Sequence, residues 1–354
     1  MKIGIDLRFL SDDFYSTFAY KLVNKLIHTN KDIEYNIYTK KPDLFNLDGQ
    51  NFHVHHVDID CGSLNEQIKL PKIFKRDNNN VMIFFNHFKP LSYKGDYYTI
   101  VAWLKDIFFQ NFSNYFEKYT YLYLMDKNLK NSQKVICLDE NTQDELIERF
   151  NLSEEKIEIL PGFFIPNTQL VSQDVQIDIR SKFHIENDFF LYSGGDGIEK
   201  NLDRFVHVFE RLHKKNISYD LVFLGDKIGK NIDLRHAIVE SWLKNNIHFI
   251  DHVKPSEEFL LYQQAKAVIY PTLYESFPLR LSNAIFTNTP ILASNLRNIE
   301  KVCENSIDYF SPISSNSLLQ KLENFTAPEN VNYSKITQTY TLENTINKLN
   351  EIIR

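Results

Sequence analysis

The chain has 354 residues, which is too long for one ordinary hydrophobic core and predicts two domains of about 150–180 residues each. It is 43% hydrophobic and 24% charged, with a mean hydropathy of −0.35, the composition of a soluble globular protein. The net charge of −6 argues against a nucleic-acid-binding protein, because such proteins are usually basic.

The cysteines and the apolar runs indicate the compartment. Cys61, Cys137 and Cys303 are far apart and form no CxxC pair, so we expect buried thiols in a reducing compartment. The first residues begin directly on a strand pattern, so no signal peptide is expected. The sequence contains no run of 18 apolar residues, so no membrane span is expected. These features predict a cytoplasmic protein.

Apolar strand patterns alternate with helical patterns in the first half of the chain. Strands are predicted at residues 2–6, 35–38, 54–59, 81–85, 98–104, 134–138 and 157–160. Helices are predicted at residues 14–28, 111–130 and 142–150. Such alternation is typical of a doubly wound, mostly parallel sheet, and predicts an α/β fold.

The Pro, Gly, Asn and polar residues of 161–174 predict a break, and we place the domain boundary between residues 166 and 167. A second alternation follows. Strands are predicted at residues 189–192, 221–224, 248–250, 267–270 and 291–293. Helices are predicted at residues 202–213, 234–243, 256–265, 279–286 and 341–353. The chain therefore carries two Rossmann-like halves in tandem.

Residues 268–312 form a predicted strand–turn–helix–strand unit around which the second half is organised. Its turn, residues 274–278, lies at the carboxyl end of a strand and at a helix N-terminus, where α/β sheets bind ligands. Backbone N–H groups and the helix dipole favour an anion there, such as a phosphate. Glu275 lies in the same turn and is expected to accept hydrogen bonds from a polyhydroxy group attached to that phosphate.

The same stretch resembles the signature of retaining glycosyltransferases of family 4, in which two Glu residues are separated by seven others. The residues in register are Pro271, Thr272, Leu273, Tyr274, Glu275, Phe277, Leu279, Ala284, Thr289, Pro290, Ala293 and Ser294. Asn283 stands where the second Glu is expected. An ordinary βαβ crossover is the alternative interpretation of this pattern.

The resemblance implies the GT-B fold, in which two Rossmann-like, doubly wound parallel-sheet domains face a central cleft. Residues 1–166 would bind the acceptor, residues 167–338 would bind the nucleotide sugar, and residues 339–354 would pack back on the first domain. The implied activity is a metal-independent transfer of a hexose, with retention, from a GDP, UDP or ADP sugar. The acceptor would be a glycan or a lipid-linked acceptor in cell-surface polysaccharide synthesis.

Residues 193–201, SGGDGIEKN, follow a strand and open a helix. Glycines let the backbone approach a ligand closely, and Lys200 would offer a mobile cation to a diphosphate. The run resembles the family phrase GGLDPRKN, in which the lysine neutralises the leaving diphosphate. Glu199 stands where that phrase has Arg, and an acid weakens the positive field unless its side chain points to solvent. A helix start with an exposed lysine is the alternative interpretation.

In this reading Glu275 and Lys200 are catalytic residues: Glu275 orients the sugar, and Lys200 and the N–H groups near Ser276 and Phe277 stabilise the leaving group. Arg280 either adds the charge that Glu199 withholds or lies on a solvated face. Asn283 could bind a ribose hydroxyl, as the second Glu does in the family. The candidate substrate-binding residues of this half are Gly194, Gly195, Asn201, Ser276, Phe277, Leu279, Arg280 and Asn283.

The first half departs further from the family. Its first turn is glycine-rich in the family, whereas residues 14–18 here read FYSTF, so a bulkier loop should reshape the cleft, with Ser16 as a candidate substrate ligand. The family often has His-Asp after the strand at residues 98–104, and this chain has Lys105 and Asp106. Asp106 is the transferable catalytic candidate. Lys105 would donate to sugar or phosphate but cannot act as a neutral imidazole.

Residues 53–60, HVHHVDID, contain a DxD triplet of the kind that binds Mn²⁺ or Mg²⁺ in other glycosyltransferases. On a strand His56, Asp58 and Asp60 would share one face. We favour an alternating surface strand and predict no metal site and no cofactor, because short acidic triplets are common. A metal-dependent sugar-processing enzyme is the rival interpretation.

The predicted helix at residues 111–130 carries an aromatic series with lysines nearby. The apolar members are Phe112, Tyr115, Phe116, Tyr119, Tyr121, Tyr123 and Leu124. Helix-spaced aromatic residues are typical of a core, which is the interpretation we favour. The alternative is a surface that docks a lipid-linked acceptor, which would place the protein peripherally at the inner face of a membrane.

A rival of another class is a GT-B protein that has lost catalysis and binds nucleotide sugar or glycan as a scaffold subunit. The glycine-rich loop, the His and the second Glu of the family are all missing from this chain. These three departures motivate the rival.

Overall fold

The computed structural model describes residues 1–11, 14–45, 51–86, 89–109, 112, 114–165, 178–225, 228, 234, 238, 243–251 and 253–353. The chain divides into unit 1, Met1–Phe163 with Tyr340–Arg354, and unit 2, Phe164–Thr339. The predicted boundary at residues 166–167 lies outside the described residues. Most of the predicted helix at residues 234–243 also lies outside them.

The described strands of unit 1 form a seven-stranded sheet in the order β3-β2-β1-β4-β5-β6-β7, and every neighbouring pair is parallel. The strands are β1 (Lys2–Asp6), β2 (Glu34–Thr39), β3 (Phe52–His56), β4 (Val81–Phe84), β5 (Tyr97–Val101), β6 (Lys134–Cys137) and β7 (Ile157–Ile159). The inner strands are mostly buried, and β4 is a continuous apolar run, as expected of a parallel sheet covered on both faces.

The helices of unit 1 connect these strands. They are α1 (Phe14–Thr29), α2 (Leu64–Ile68), α3 (Leu70–Arg76), α4 (Lys105–Phe109), α5 (Tyr115–Asn131) and α6 (Glu140–Phe150). The apolar stripe of α1 that predicted the helix, with Phe18, Leu22 and Val23, is fully buried. α6 begins after Asp139, whose carboxylate accepts a hydrogen bond from the backbone of Thr142 at 3.0 Å. The sequence analysis did not predict α2, α3 or α4.

The described strands of unit 2 form a six-stranded parallel sheet in the order β10-β9-β8-β11-β12-β13. They are β8 (Phe189–Ser193), β9 (Asp220–Leu224), β10 (Ile247–Ile250), β11 (Ala267–Tyr270), β12 (Ile291–Ser294) and β13 (Asp308–Phe310). The strand order reverses between β8 and β11, and such a reversal opens a crevice at the carboxyl ends of the two strands. The two parallel sheets confirm the predicted α/β fold class.

The helices of unit 2 are α7 (Ile179–Phe183), α8 (Leu202–His213), α9 (Pro255–Gln264), α10 (Ser282–Phe286), α11 (Arg297–Cys303), α12 (Ser315–Glu323) and α13 (Ser334–Thr339). α8 buries Phe205, Val206, Phe209 and Leu212 against the sheet. The predicted helix at residues 279–286 is a 3₁₀ turn, Leu279–Leu281, followed by α10.

The last helix, α14 (Leu342–Ile353), is part of unit 1, although it follows unit 2 in sequence. It packs against α1. The hydroxyl of Thr345 donates to the carbonyl of Pro161 at 2.8 Å, and the amide of Asn30 donates to Asn350. These contacts attach the end of the chain to the first sheet.

Two expectations about burial are wrong. Four aromatic residues of α5 expose 62–83% of their surface: Tyr115, Phe116, Tyr119 and Tyr123. The core interpretation of α5 fails because its buried face is formed by Met125, Asn128 and Leu129 near its C-terminal end. Cys137 and Cys303 are buried thiols, but Cys61 is exposed.

Within the described part of the chain, no helix has the length and hydrophobicity needed to cross a bilayer.

Candidate active site in the second unit

Two loops of unit 2 meet at the carboxyl ends of β8 and β11, the strands between which the order reverses. Residues 194–201 follow β8, and residues 271–278 follow β11. The backbone N–H of Leu273 and the hydroxyl of Thr272 donate to the carbonyl of Glu199, at 2.7 and 3.1 Å. We call the region between these two loops the candidate site.

Lys200 and Glu275, one from each loop, form an ion pair in the candidate site. Nζ of Lys200 lies 3.2 Å from Oε2 of Glu275, and the two side chains are 7% and 18% exposed. The hydroxyl of Tyr270, at the end of β11, donates a hydrogen bond to the same carboxylate oxygen. Burial and the neighbouring carboxylate raise the pKa of Tyr270 well above its usual value, so this hydroxyl remains a donor.

Glu199 is the acid at the position where the family phrase has Arg, and it does not point to solvent. Its Oε1 lies 3.9 Å from Nζ of Lys200, and its side chain is 7% exposed. The carboxylate folds back over Gly197 and occupies the space that a Cβ would need there. Lys200 therefore faces two carboxylates, those of Glu199 and Glu275.

Arg280 brings a second cation to the candidate site. Its Nη2 is 3.8 Å from the position that a Cβ on Gly195 would occupy. Burial raises the pKa of three tyrosines, and the charge of Arg280 opposes that rise in each of them: Tyr192, Tyr262 and Tyr270. The half-buried guanidinium is therefore near enough to these three side chains to affect their ionisation.

The two glycines after β8 differ in their surroundings. A Cβ on Gly194 would collide with the hydroxyl of Tyr192, which donates to the carbonyl of Gly195 at 2.6 Å. Among the described residues, only Arg280 comes within 4 Å of a Cβ placed on Gly195. Gly194 is thus required by packing, whereas Gly195 leaves room for a ligand near its backbone.

Asn201 holds the loops of the candidate site together. It adopts a left-handed conformation, with φ of 58°, at the start of α8. Its buried amide donates to the carbonyls of Pro271 at 3.2 Å and Pro312 at 3.0 Å. Asn201 therefore joins the ends of β11 and β13 to the loop after β8. Its role as a substrate ligand stays a prediction.

The turn after Glu275 is fixed by a residue that the sequence analysis missed. The side-chain amide of Asn298, on α11, donates to the carbonyls of Glu275 and Ser276. Ser276 and Phe277 are buried, as is Leu279, and the ring of Phe277 packs 4.9 Å from that of Phe164. Asn298 offered no sequence signal beyond being a polar residue in an amphipathic segment.

Asn283, at the position of the family's second Glu, contacts a carboxylate from another helix. Its Nδ2 donates to Oε1 of Glu258, on α9, at 2.8 Å. Burial raises the pKa of Glu258, and the hydrogen bond from Asn283 opposes this rise. Sequence reasoning did not single out Glu258, which lies 25 residues before Asn283.

The remaining predicted site residues lie in unit 1. Ser16 is buried on α1, and its Oγ accepts a hydrogen bond from the backbone of Ser11 at 2.9 Å. Lys105 and Asp106 form the first turn of α4, and the ammonium of Lys105 lies 5.4 Å from the centre of the Trp103 ring. The structure thus brings together Lys200, Glu275 and Arg280, while the roles of the unit 1 residues stay predictions.

Aromatic side chains occupy the first loop of unit 1, where the family has glycines. The hydroxyl of Tyr15 donates to the carbonyl of Phe85 at 2.9 Å. Its ring lies 4.7 Å from that of Trp103 and 5.4 Å from that of Phe9, measured between centroids. The loop is therefore filled by stacked aromatic rings.

The acidic triplet of residues 58–60 is a surface feature. Asp58 and Asp60 are more than 80% exposed, and both lie at the ammonium of Lys40. Among the described residues there is no group of three His, Cys, Asp or Glu side chains that could hold a metal ion.

Comparison with known proteins assigns the region that contains the candidate site. Residues 175–325 match the family model of glycosyl transferases group 1. The chain is similar to the O-antigen chain mannosyltransferase RfbU of Salmonella typhimurium, with 25% identity over 213 residues, which cover 60% of this chain and 56% of that protein. It is also similar to O-antigen chain mannosyltransferase B of Escherichia coli, with 21% identity over 185 residues, 50% of this chain and 47% of that protein. The chain thus spans about half the length of these curated relatives.

Solved structures share the fold over nearly the whole chain. HepE of Anabaena, solved with UDP-glucose, has a TM-score of 0.73 at 14% identity and covers 100% of this chain and 99% of that one. A glycosyltransferase from Rickettsia africae has a TM-score of 0.70 at 16% identity and covers 99% of this chain and 97% of that one. The chain therefore has the GT-B fold of two Rossmann-like domains, and its residues 175–325 match the family model of glycosyl transferases group 1.

Proposed function

We propose that this protein is a retaining glycosyltransferase that moves a hexose from a nucleoside-diphosphate sugar to a glycan or lipid-linked acceptor in cell-surface polysaccharide synthesis. The ion pair of Lys200 and Glu275, at the strand reversal of unit 2, is the observation that carries this proposal. It lies within the segment that matches the family model of glycosyl transferases group 1. The names of the mannosyltransferase relatives and the UDP-glucose complex of HepE support a hexose donor.

The chemistry follows from the charges that develop at the anomeric carbon. When the bond between C1 and the diphosphate oxygen breaks, positive charge grows on the sugar and negative charge on the leaving group. Lys200, Arg280 and the backbone N–H groups near Ser276 and Phe277 would stabilise the diphosphate. Glu275, held by Lys200 and Tyr270, would accept hydrogen bonds from the hexose hydroxyls and orient the ring.

We infer retention by attack on the same face, without a covalent intermediate on the enzyme. The acceptor hydroxyl would attack C1 from the face that the diphosphate leaves, and its proton would pass to a leaving phosphate oxygen. One C–O bond forms as another breaks, so no oxidant, cofactor or metal is needed. Unit 2 would bind the nucleotide sugar, and unit 1 would bind the acceptor, with Ser16, Lys105 and Asp106 as its contacting residues.

A panel of GDP, UDP and ADP sugars, tested for binding by thermal shift and for transfer or hydrolysis, tests the proposal. Glu275→Ala and Lys200→Ala should each lower turnover of the accepted donor by about 10²–10³-fold. Lys321→Ala is the control, since Lys321 pairs with Asp308 on the exposed surface of the same unit. Near-normal turnover in Glu275→Ala or Lys200→Ala would contradict the assignment, as would loss of activity in a chelator.

A specific observation favours a second candidate, a nucleotide-sugar-binding subunit without catalysis. The positive charge of Lys200 is already balanced by the carboxylates of Glu199 and Glu275. This balance weakens the positive field that a leaving diphosphate would meet. Stabilisation by a nucleoside diphosphate without any transfer or hydrolysis would select this candidate. A Glu199→Gln variant that gains turnover would show that the buried acid limits catalysis.

The exposed face of α5 supports a peripheral contact with a lipid surface. Tyr115, Phe116, Tyr119 and Tyr123 are exposed, and aromatic side chains of this kind partition into membrane interfaces. The exposed Lys118 and Lys127 lie on the same helix and would attract anionic headgroups.

Sedimentation with vesicles of phosphatidylglycerol and phosphatidylethanolamine tests the membrane contact. The double variant Phe116→Ser/Tyr119→Ser should bind less than the wild type. Leu64→Ser/Ile68→Ser is the control, because these residues are 81% and 60% exposed on α2 of the same unit. Equal binding by the wild type and the α5 variant would exclude α5 as the contact.

A further inference from the structure

A groove of about 630 Å³ lies between α4, α5 and α6 of unit 1 and takes no part in the chemistry proposed above. Binding sites for small molecules typically measure about 300–1,000 Å³, so the groove is large enough for a small ligand or a lipid headgroup. Its walls combine aromatic rings with charged groups. The side chains that line it from α5 and α6 include Tyr119, Tyr123, Asp126, Glu148, Arg149 and Phe150.

Arg149 brings a cation with unused hydrogen-bond donors to the groove. Its guanidinium lies over the ring of Phe108, with Cζ 4.3 Å from the ring centroid. Within the described ranges, its side chain forms no ion pair and no hydrogen bond. Contact with the ring holds the guanidinium but leaves its N–H groups available to an anion. A phosphate matches this fork of donors, because the two groups can form parallel hydrogen bonds.

Glu148 brings an acid that has no cation of its own. It precedes Arg149 on α6, and neighbouring residues of a helix do not face each other, so the two charges do not pair. In the part of the chain that the structure describes, no ion pair or hydrogen bond reaches the Glu148 carboxylate. Asp126, the other acid of the groove, is already paired with Lys130 at 2.7 Å. Glu148 would therefore repel a purely anionic ligand and attract one that also carries an ammonium group.

Aromatic rings in the groove favour the same ammonium group. Tyr119 and Tyr123 are 70% and 62% exposed. The ammonium of Lys127 lies 6.0 Å from the centroid of the Tyr123 ring, so this ring already attracts a cation. No cation among the described residues lies over the ring of Tyr119, whose face is therefore available to one. The groove thus offers one part to a phosphate and another to an ammonium, which together describe a zwitterionic phosphoamine.

We propose that this groove binds the headgroup of phosphatidylethanolamine, with Arg149 on the phosphate and Glu148 on the ammonium. The exposed rings of Tyr115 and Phe116 on the same helix favour a lipid over a soluble phosphoamine, because such rings partition into membrane interfaces. A primary ammonium can donate hydrogen bonds to Glu148, whereas the quaternary ammonium of phosphatidylcholine cannot, and phosphatidylglycerol has no cation. This specificity rests on the proposed membrane contact of α5.

Sedimentation of the full chain with two sets of vesicles tests the headgroup site. Both sets contain the same fraction of phosphatidylglycerol, and the remainder is phosphatidylethanolamine in one set and phosphatidylcholine in the other. The wild type should bind the phosphatidylethanolamine set about 3–10-fold more tightly. In Glu148→Gln that preference should fall below about twofold, because the amide carries no charge for the ammonium. Glu154→Gln, an exposed acid of the same unit outside the groove, is the charge-matched control and should keep the full preference.

A water-soluble competitor separates recognition of the headgroup from the packing of the bilayer. An excess of glycerophosphoethanolamine should reduce binding to the phosphatidylethanolamine set to the level of the phosphatidylcholine set, since it occupies the groove but not the aromatic face of α5. A preference that persists in its presence would overturn the headgroup site. A preference that Glu148→Gln retains in full would overturn it as well.

Two outcomes separate the headgroup site from the functions proposed above. A wild type that binds both sets of vesicles equally would overturn the headgroup site and leave the membrane contact of α5 in place. Failure of the wild type to bind any vesicle would overturn both. Binding of nucleotide sugars, measured without vesicles, tests the glycosyltransferase assignment independently of either result.

Discussion

Removing Lys200 should destabilise unit 2 more than removing Glu275, although the two residues are partners in one ion pair. Lys200 lies between two carboxylates, 3.2 Å from Glu275 and 3.9 Å from Glu199. Lys200→Met removes the ammonium that both acids contact. Glu275→Gln leaves Lys200 still paired with Glu199, and Gln can still accept the hydrogen bond from Tyr270.

The expected loss of stability in each variant follows from the distances and the burial of the ion pairs. At an effective dielectric constant near 20, a pair of charges 3.2 Å apart attracts by about 5 kcal/mol, and desolvation offsets much of this. Breaking a buried pair by removing one partner typically costs about 3–5 kcal/mol, which we expect for Lys200→Met. For Glu275→Gln we expect about 1–3 kcal/mol, since a hydrogen bond and one ion pair remain. In a domain of this size, each 1 kcal/mol lowers Tm by about 2–4 °C.

Thermal unfolding followed by circular dichroism measures both variants and the double variant, which gives the coupling energy of the pair. Lys321→Met is the matched control, because Lys321 lies 3.0 Å from Asp308 but both side chains are about half exposed. Exposed pairs contribute about 0–1 kcal/mol, so its Tm should change little. The reasoning is refuted if Lys200→Met is as stable as Lys321→Met, or if Glu275→Gln is the more destabilised of the two site variants.

Two further variants test the surroundings of the site, and a third tests a buried lysine of unit 1. Tyr270→Phe removes a donor to Glu275 and should lower turnover about tenfold; unchanged kcat/KM would contradict this. Asn201→Ala removes two buried hydrogen bonds at a left-handed position and should cost about 2–4 kcal/mol in urea unfolding, whereas the control Asn324→Ala should cost little. Burial in unit 1 lowers the pKa of Lys89 to about 8, and the charge of Lys127 is a lesser cause. Between pH 8 and pH 10 the unfolded state therefore binds more protons than the folded state. The free energy of unfolding of the wild type should therefore rise relative to Lys89→Met between pH 8 and pH 10, and a constant difference would contradict the shift.

The α/β alternation could be read from the sequence because it is written in local periodicity. The run at residues 267–270 is short, apolar and β-branched, and the structure makes it β11. Predicted and observed helix boundaries differ by a few residues where a capping residue sets the boundary. One example is α6, which begins after Asp139 instead of at the predicted residue 142. The short helices α2, α3 and α4 escaped prediction because they are too short to show a period of their own.

The site was predictable only in part, for the same reason. Glu275 and Lys200 could be named because each lies in a loop whose local pattern resembles a known motif. Their distance of 3.2 Å depends on β8 and β11 being neighbours in the sheet. The loop that carries Glu199 is joined to the loop after β11 by the hydrogen bonds that Leu273 and Thr272 make to the carbonyl of Glu199. No pattern within either loop contains that information.

The sequence by itself determined the succession of strands and helices, the two tandem halves and the loop positions of the charged residues, since all of these follow from local spacing. Only the tertiary structure decided which distant groups meet: Glu258 with Asn283, Asn298 with the turn after Glu275, and α5 with its aromatic residues outward. The physical reason is that such contacts depend on how helices pack across crossover connections. That packing is set by the shape and burial of the whole unit, and residues far apart in sequence carry no local signal of it.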